Sequence, residues 1–304
     1  MKTEAQCFRI ESLLATEHGH VEVAVNALEN ISRSGDALAS EPFLISQLVR
    51  VSFYSMTLDA AERLLSRQSL SVSQLNNLEA LLIRLHLRGA LRFAFIGERV
   101  TMLSVFDLPD AALREALSSG SPDGEASISP QDYRRGMGFL GFIGLAGSDR
   151  RLMLETMSEA IALADQDNPR ALKRIEEVFS SASSKARRIP PKMFSAMLLP
   201  SLEMSASRFG TIEARRRAAT AALAVERYRL AKGGRTPESL DELVPQYLPS
   251  IPADPFDGEP LRYKRLPKGF VVYSIGPDRT DDGGAERPQK GPQKNFDVTF
   301  VVER

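Results

Sequence analysis

Apolar residues recur at spacings of three and four from about residue 3 to about residue 231, and this periodicity restricts the fold more than any other feature. Such spacing places apolar side chains on one face of an α-helix, whereas a strand would show strict alternation. One face of a long helix is marked by Leu44, Leu48, Met56, Ala60 and Leu64. The first two thirds of the chain are therefore predicted to be all-helical and solenoid-like, with helical hairpins stacked in series.

Local signals indicate where several of these helices begin. Ser71 and Gln74 form a capping box, and the helix that follows has a leucine-rich buried side. That side consists of Leu75, Leu78, Leu82 and Leu85. Further helices are punctuated by Pro109, Pro130, Pro169, Pro190 and Pro191. The segment 118–130 is rich in turn formers and is predicted to be an exposed loop.

The pattern changes after Gly233 and Gly234, which end an alanine-rich helix predicted over residues 213–232. A short helix is predicted to begin near Thr236 and Pro237. Three alternating runs, LRYKR, GFVVYSI and FDVTFVV, are rich in Val, Phe and Tyr and are typical of strands. The sequence thus predicts a mainly α protein with an all-helical region over 1–204 and an α+β module over 205–304. The module is expected to contain a three-stranded antiparallel sheet.

The module resembles the C-terminal globular domain of the major pseudopilins of type II secretion. That family combines a leucine-rich short helix, a "YL..PxDPxG.P..Y" segment and "YSxGxD" at a strand end. The matching residues here are Leu240, Leu243, Tyr247, Leu248, Pro252, Asp254, Pro255, Gly258, Pro260, Tyr263, Tyr273, Ser274, Gly276 and Asp278. The resemblance covers about the last third of the chain and says nothing about the first two hundred residues.

The resemblance implies a calcium ion in the loop after the second strand, because the family binds calcium there. The residues that would hold it are Asp278, Asp281, Asp282 and Asp297. Calcium requires six to eight oxygen ligands, which carboxylates and backbone carbonyls can supply. The alternative is that Asp-Asp-Gly-Gly forms an ordinary turn. Basic residues within and beside the loop depart from the family pattern and favour this alternative, namely Arg279, Arg287, Lys290 and Lys294.

Three other short patterns are each predicted to be structural. Residues 136–141, GMGFLG, match a dinucleotide fingerprint but follow no strand, so close helix packing is predicted instead. His18 and His20 lie two positions apart, which does not place them on one helix face, so surface positions at a helix junction are expected. The basic runs at 185–188 and 215–217 are predicted to lie at solvated helix ends.

Composition and motif content exclude several classes of function. The chain has 39 basic and 39 acidic residues, so no net field attracts nucleic acid, and no nucleic-acid partner is predicted. Cys7 is the single cysteine, which excludes an intramolecular disulfide. Sequence motifs for hydrolases, phosphate-binding loops and thiol redox sites do not occur in the chain, and no catalytic residue is predicted.

The sequence therefore predicts a non-catalytic, envelope-associated binding or scaffold protein that contacts protein partners through its helical surface. Filament assembly is not expected, because the helix before the sheet carries Arg215, Arg216 and Arg217 where pseudopilins have an apolar anchor. Membrane contact and an envelope or extracytoplasmic location are expected only if an N-terminal anchor is missing from this chain, and a cytoplasmic location if it is complete. The alternatives are an intracellular helical-repeat adaptor without metal, and an enzyme with a site between the two regions.

Overall fold

The computed structural model describes residues 2–87, 89–106, 145–166, 171–188, 192–286 and 296–304. Within these ranges the protein is mainly helical and carries a small antiparallel sheet of three strands near its C-terminal end. The predicted fold class is thereby confirmed. The predicted loop at 118–130, the GMGFLG segment at 136–141 and the five punctuating prolines lie outside the described residues.

The helices follow one another along the chain and pack mainly on their neighbours. They are α1 (Lys2–Glu17), α2 (Val21–Asp36), α3 (Leu44–Arg67), α4 (Val72–Arg84), α5 (Ala90–Phe106), α6 (Leu145–Ala164), α7 (Ala171–Arg188) and α8 (Met193–Ala231). Contacts between α1 and α2, α2 and α3, α5 and α6, α6 and α7, and α7 and α8 follow the order expected of stacked hairpins. The capping box is present, since the Ser71 hydroxyl accepts the Gln74 amide and the Gln74 side chain accepts the Ser71 amide.

The helix α8 is longer than the alanine-rich sequence predicts. It begins at Met193 instead of residue 213 and runs for 39 residues with Pro200 in its interior. Its first half is held by buried apolar side chains, among them Leu199, Leu202 and Phe209. Burial of this face offsets the hydrogen bond that a proline cannot donate.

A short 3-10 helix and three strands follow α8. The 3-10 helix spans Leu240–Leu243, where the sequence predicts a short helix. The strands β1 (Arg262–Leu266), β2 (Gly269–Ser274) and β3 (Val298–Glu303) form an antiparallel sheet in the order β1-β2-β3. Gly269 lies in the left-handed region with a φ of 119°, and a Cβ there would lie 1.8 Å from the Val302 carbonyl oxygen. Only glycine fits this position.

One hydrophobic core joins the helices to the sheet. The helix α8 packs on α3, α4 and α7 and also on β2 and β3. Buried Leu64 and Phe179 from the helices belong to the same cluster as Phe270 and Phe300 from the sheet. The boundary between residues 204 and 205 falls inside α8. The division into two regions therefore describes a change of sequence pattern, while the core continues across it.

The edge strand β3 is covered by side chains of α3. The Val301 amide donates to Glu62, and Ser66 Oγ donates to the Val301 carbonyl at 3.3 Å. The Glu303 amide donates in turn to Ser66 Oγ at 3.2 Å. An edge strand otherwise leaves its outer amides and carbonyls without partners. These bonds fix the sheet to the helical region.

The basic run at 215–217 does not lie at a solvated helix end, which corrects that expectation. Arg215 pairs with Asp59 and Glu62 of α3, while Arg216 and Arg217 both pair with Glu213. The three arginine side chains are only 18%, 18% and 28% exposed. They lie in the middle of α8 and spread around it, so they reach different partners. No described helix is both long and apolar enough to cross a membrane.

Candidate functional site

Asp254 is the central acceptor at the base of the loop that carries the predicted calcium ligands. Its side chain is completely buried and accepts the Phe256 amide at 2.9 Å, Ser274 Oγ at 2.8 Å and the Ile275 amide at 3.0 Å. Arg262 donates to it at 3.0 Å. The DP and YS segments, which carry much of the pseudopilin resemblance, thus meet at one carboxylate. A buried carboxylate satisfied by four donors is a structural anchor.

Two of the four predicted calcium ligands hold local turns. Asp278 is exposed and accepts the Thr280 amide at 3.2 Å. Asp281 accepts the Gly283 amide at 2.9 Å and lies 3.6 Å from the guanidinium of Arg262. Both bonds join a carboxylate to an amide two residues later, which is the geometry of an Asx turn.

The other two predicted ligands lie deeper in the same loop. Asp297 is 2% exposed and accepts the amides of Asp282 at 3.3 Å and Gly284 at 2.7 Å. Burial raises the pKa of the Asp297 carboxyl, and the negative charges of Asp281 and Asp282 raise it further. The hydrogen bonds from the two amides lower this pKa and so oppose the rise. Oδ2 of Asp282 is buried and has no hydrogen-bond partner among the described residues. The loop therefore brings three carboxylates near one another and leaves Asp278 on the surface.

These carboxylates do not form a preassembled metal cage. In the described ranges no group of three or more His, Cys, Asp or Glu side chains is arranged to hold a metal ion. Backbone amides, which are donors, already occupy oxygens of Asp278, Asp281 and Asp297. The geometry thus fits turn formation better than calcium coordination, and calcium binding stays a prediction from the resemblance.

Calcium binding to this loop has a direct thermodynamic signature. An ion that binds the folded state alone at ten times its Kd would stabilise the protein by about 1.4 kcal/mol and raise the melting midpoint. The measurement is a melting curve with Ca²⁺ and with Mg²⁺, on the wild type and on Asp282→Asn. A midpoint that rises with Ca²⁺ in the wild type but not in the variant would establish the site. An unchanged midpoint at millimolar Ca²⁺ would contradict it.

A cleft lies between α7, α8 and the turn that follows β2. Its volume is about 500 Å³. The helix α7 lines it with Lys173, Glu176, Glu177 and Ser180, and α8 lines it with Pro200, Glu203, Met204 and Ser207. Each set follows the spacing i, i+3, i+4, i+7, which is one face of a helix. Pro277 and Arg279 close one end of the cleft.

Arg279 is held in place across this junction. Its φ is 57°, in the left-handed region that residues other than glycine seldom adopt. Its guanidinium donates to the Phe256 carbonyl at 3.3 Å and pairs with Glu176 of α7. The ion pair with Glu176, whose side chain is 12% exposed, connects the turn to the helical region.

The cleft raises the pKa of two carboxyl groups. Burial is the largest cause of the raised pKa of Glu176, and the charges of Glu203 and Glu177 raise it further. Arg279 lowers this pKa through its charge and its hydrogen bond. Burial also raises the pKa of Glu203, and the charge of Arg187 acts against it. Glu203 makes no hydrogen bond or ion pair within the part of the chain that the structure describes, so Arg187 acts on it through its charge alone. A carboxylate that is partly desolvated and has no direct contact with a cation favours an added one.

Sequence reasoning missed this cleft. Glu176 and Glu177 are adjacent, and adjacent residues point in different directions from a helix. Both nevertheless line the open cleft, Glu176 nearly buried and Glu177 exposed. The sequence signal that could have found the site is the shared i, i+3, i+4, i+7 spacing of a mostly polar set on α7 and of a set on α8 that includes Glu203 and Ser207. The ion pair of Arg279 with Glu176 depends on the backbone geometry of the turn after β2, and no sequence signal indicates it.

A second concave surface lies on the first helical hairpin. A groove of about 480 Å³ is lined mainly by apolar residues of α1 and the start of α2. Ile10, Leu14 and Val23 in this groove are 57%, 56% and 45% exposed. His18 and His20 lie beside them at the junction of the two helices, with stacked rings 6.3 Å apart. Both histidines are exposed, as the sequence predicts for a helix junction.

A comparison with protein-family models, curated proteins and solved structures finds no match to this chain. The pseudopilin resemblance and the function it implies therefore stay predictions. Proposals about function depend on the residues and geometry described above.

Proposed function

We propose that this protein is a binding or scaffold protein of a bacterial envelope, without a catalytic role, and that a protein partner docks on its helical surface. The observation that carries the proposal is the apolar groove on α1 and α2. Single exposed apolar residues are common on protein surfaces, whereas apolar residues that line one concave surface are typical of interaction sites. Ile10 and Leu14 on α1 lie one turn apart and face the same groove as Val23 of α2.

The shape of the groove favours one kind of partner. Two packed helices present a shallow channel between them, into which an amphipathic helix can place its apolar side chains. Exposed Cys7 lies one turn before Ile10 and extends the groove along α1. We therefore propose that the partner contributes an amphipathic helix. The envelope location is proposed from the pseudopilin resemblance of the α+β module, which would serve as a rigid support.

The single cysteine allows the groove to be labelled without introducing a new cysteine into it. Cys7 lines the groove and is the only cysteine of the chain, so a maleimide photo-crosslinker reacts at this position alone. We expect irradiation with an envelope extract to give one adduct of defined mass, detected by mass spectrometry. Leu14→Glu is expected to abolish that adduct, because a charge in the groove opposes burial of an apolar helix face.

The control moves the same label out of the groove. In Cys7→Ser/Arg33→Cys, the label lies on α2 at a position whose native side chain is 71% exposed. We expect no adduct of that mass from this variant. Equal cross-linking from both labels, or no adduct from Cys7, would contradict a docking site. An adduct formed only with soluble intracellular extract would favour the alternative of an intracellular adaptor.

The alternative of an enzyme is favoured by one observation, the cleft with two carboxyl groups of raised pKa between the two regions. A pair of catalytic carboxyl groups acts as acid and base or nucleophile, so both must be free to reach the substrate. Glu176 is instead bound to Arg279, and only Glu203 is free among these two. This arrangement favours recognition of a ligand over catalysis.

A further inference from the structure

The cleft between α7 and α8 has a charge pattern that favours a single positive group. Three glutamates, one lysine and one arginine line it. Arg279 neutralises Glu176, and Lys173 lies 3.9 Å from Glu177. Glu203 makes no hydrogen bond or ion pair in the described part of the chain, and only the charge of Arg187 acts on it. A cation that enters the cleft would therefore meet one carboxylate that no cation contacts directly.

The same cleft also has an apolar wall. Met204 follows Glu203 on α8 and is 58% exposed, and Pro200 and Pro277 also line the cleft. Ser180 and Ser207 add one hydroxyl group from each helix. A ligand that complements this lining has an apolar stem and a cationic end. Lysine has this form, since its four methylene groups pack on apolar surfaces while the ammonium remains in a polar environment.

We propose that this cleft receives a lysine side chain of a partner polypeptide, with the ammonium group on Glu203 and the methylene stem against Met204. A lysine fits this lining because its ammonium group has three donors, and the cleft offers three separate acceptor groups, the Glu203 carboxylate and the hydroxyl groups of Ser180 and Ser207. A divalent metal fits less well, because the described residues offer no group of three ligands arranged around one ion. The inference does not depend on the groove of α1 and α2.

The Met204 methyl group provides a local readout. The chain has nine methionines, so a spectrum of ¹³C-methyl-labelled methionine is simple, and Met204→Leu assigns the signal of interest. The probe is Nα-acetyl-lysine methylamide, a single lysine side chain without terminal charges. We expect the Met204 methyl signal to move on titration with a Kd of about 1–10 mM, as for a small ligand held by one ion pair.

Two comparisons separate recognition of the charge from other causes. Nε-acetylation of the probe removes the positive charge and is expected to weaken binding about tenfold or more. Glu203→Gln is expected to have the same effect, and it leaves no donor unsatisfied because Glu203 has no hydrogen-bond partner among the described residues. Glu159→Gln is the matched control, since Glu159 is an exposed glutamate of α6 outside the cleft. We expect it to change the Kd less than about twofold, because exposed charges are screened by salt.

Several results would overturn the inference. A Met204 signal that does not move at about 50 mM probe would exclude a lysine site of useful affinity. Equal binding of the neutral acetylated probe would show that the cleft recognises an apolar chain and not a charge. Tighter binding of the corresponding arginine probe, or equal weakening by Glu203→Gln and Glu159→Gln, would also contradict the assignment to Glu203. None of these outcomes bears on cross-linking at Cys7, so the two proposals fail independently.

Discussion

Replacing Asp254 with alanine is expected to lower the free energy of unfolding by about 3–5 kcal/mol. The substitution removes the acceptor of four donors at once, namely two backbone amides, the Ser274 hydroxyl and the Arg262 guanidinium. The side chain is fully buried, so the orphaned donors cannot recover hydrogen bonds to water without opening the loop. Arg262 would also lose one of the carboxylates that neutralise its positive charge and would keep Asp257.

Urea denaturation of the wild type and of Asp254→Ala measures this loss directly. Asp241→Ala is the control, because Asp241 is an exposed aspartate of the same module whose carboxylate accepts, among the residues with described positions, only the Ser239 hydroxyl at 3.1 Å. A surface change of this kind is expected to stay within about 0.5 kcal/mol. A loss below about 1 kcal/mol in Asp254→Ala would show that the four donors find other partners.

Arg215→Met is expected to lower the free energy of unfolding by about 2–3 kcal/mol, less than a fully buried pair because some solvent reaches the groups. Arg215 joins α8 to Asp59 and Glu62 of α3, and its side chain and that of Glu62 are 18% and 20% exposed. Methionine retains the aliphatic volume of the arginine but leaves Glu62 without its cation. Arg216→Met is the matched control, since Glu213 keeps Arg217 as a partner when Arg216 is lost.

The loss in Arg215→Met should depend on pH. Burial raises the pKa of Glu62 above its usual value of 4.5, and the charge of Arg215 opposes that rise. Without Arg215 the folded-state pKa rises further, so the folded state binds a proton more readily than the unfolded state. The destabilisation caused by the unpaired Glu62 carboxylate is then fully present above the folded-state pKa. It decreases as the pH falls through that pKa toward 4.5.

Urea denaturation at several pH values between about 5 and 8 would show this trend. We expect the difference in free energy of unfolding between wild type and Arg215→Met to be largest near pH 8 and to decrease toward pH 5. The double variant Glu62→Gln/Arg215→Met should recover part of the loss, because no unpaired carboxylate remains. A difference that does not change with pH would contradict the assignment of the penalty to Glu62.

The sequence predicted the parts of the fold that depend on local signals. The capping box at Ser71 and Gln74 needs only two side chains and the backbone between them, and it is present. The three strands were predicted from alternation and β-branched composition, which again are local properties. The length of α8 was not predicted, because Pro200 and Gly210 both disfavour a helix locally. Gly210 is favoured by packing instead, since a Cβ there would lie 2.2 Å from the end of the Leu172 side chain and 3.2 Å from the Phe256 ring.

The contacts at the candidate sites could be predicted even less well, because they join residues that are far apart in the sequence. Arg215 was predicted to be solvated because its acidic partners in α3 lie more than 150 residues away in the chain, and no local pattern connects them. Arg279 and Glu176 are likewise distant in sequence and meet because α7 and β2 both pack on α8. Pairings of this kind are decided by tertiary structure. They become visible only when the packing of the helices is known.

The continuity of α8 has a consequence for how the protein can be divided. A fragment that starts at residue 205 would begin in mid-helix, and it would expose to water the faces of α8 that α3, α4 and α7 cover. A fragment that ends at residue 204 would expose the opposing faces of those three helices. Neither half would therefore be an autonomous folding unit, and expression of one half alone should give an aggregation-prone chain. A division of the protein that keeps this core intact therefore has to leave α8 whole.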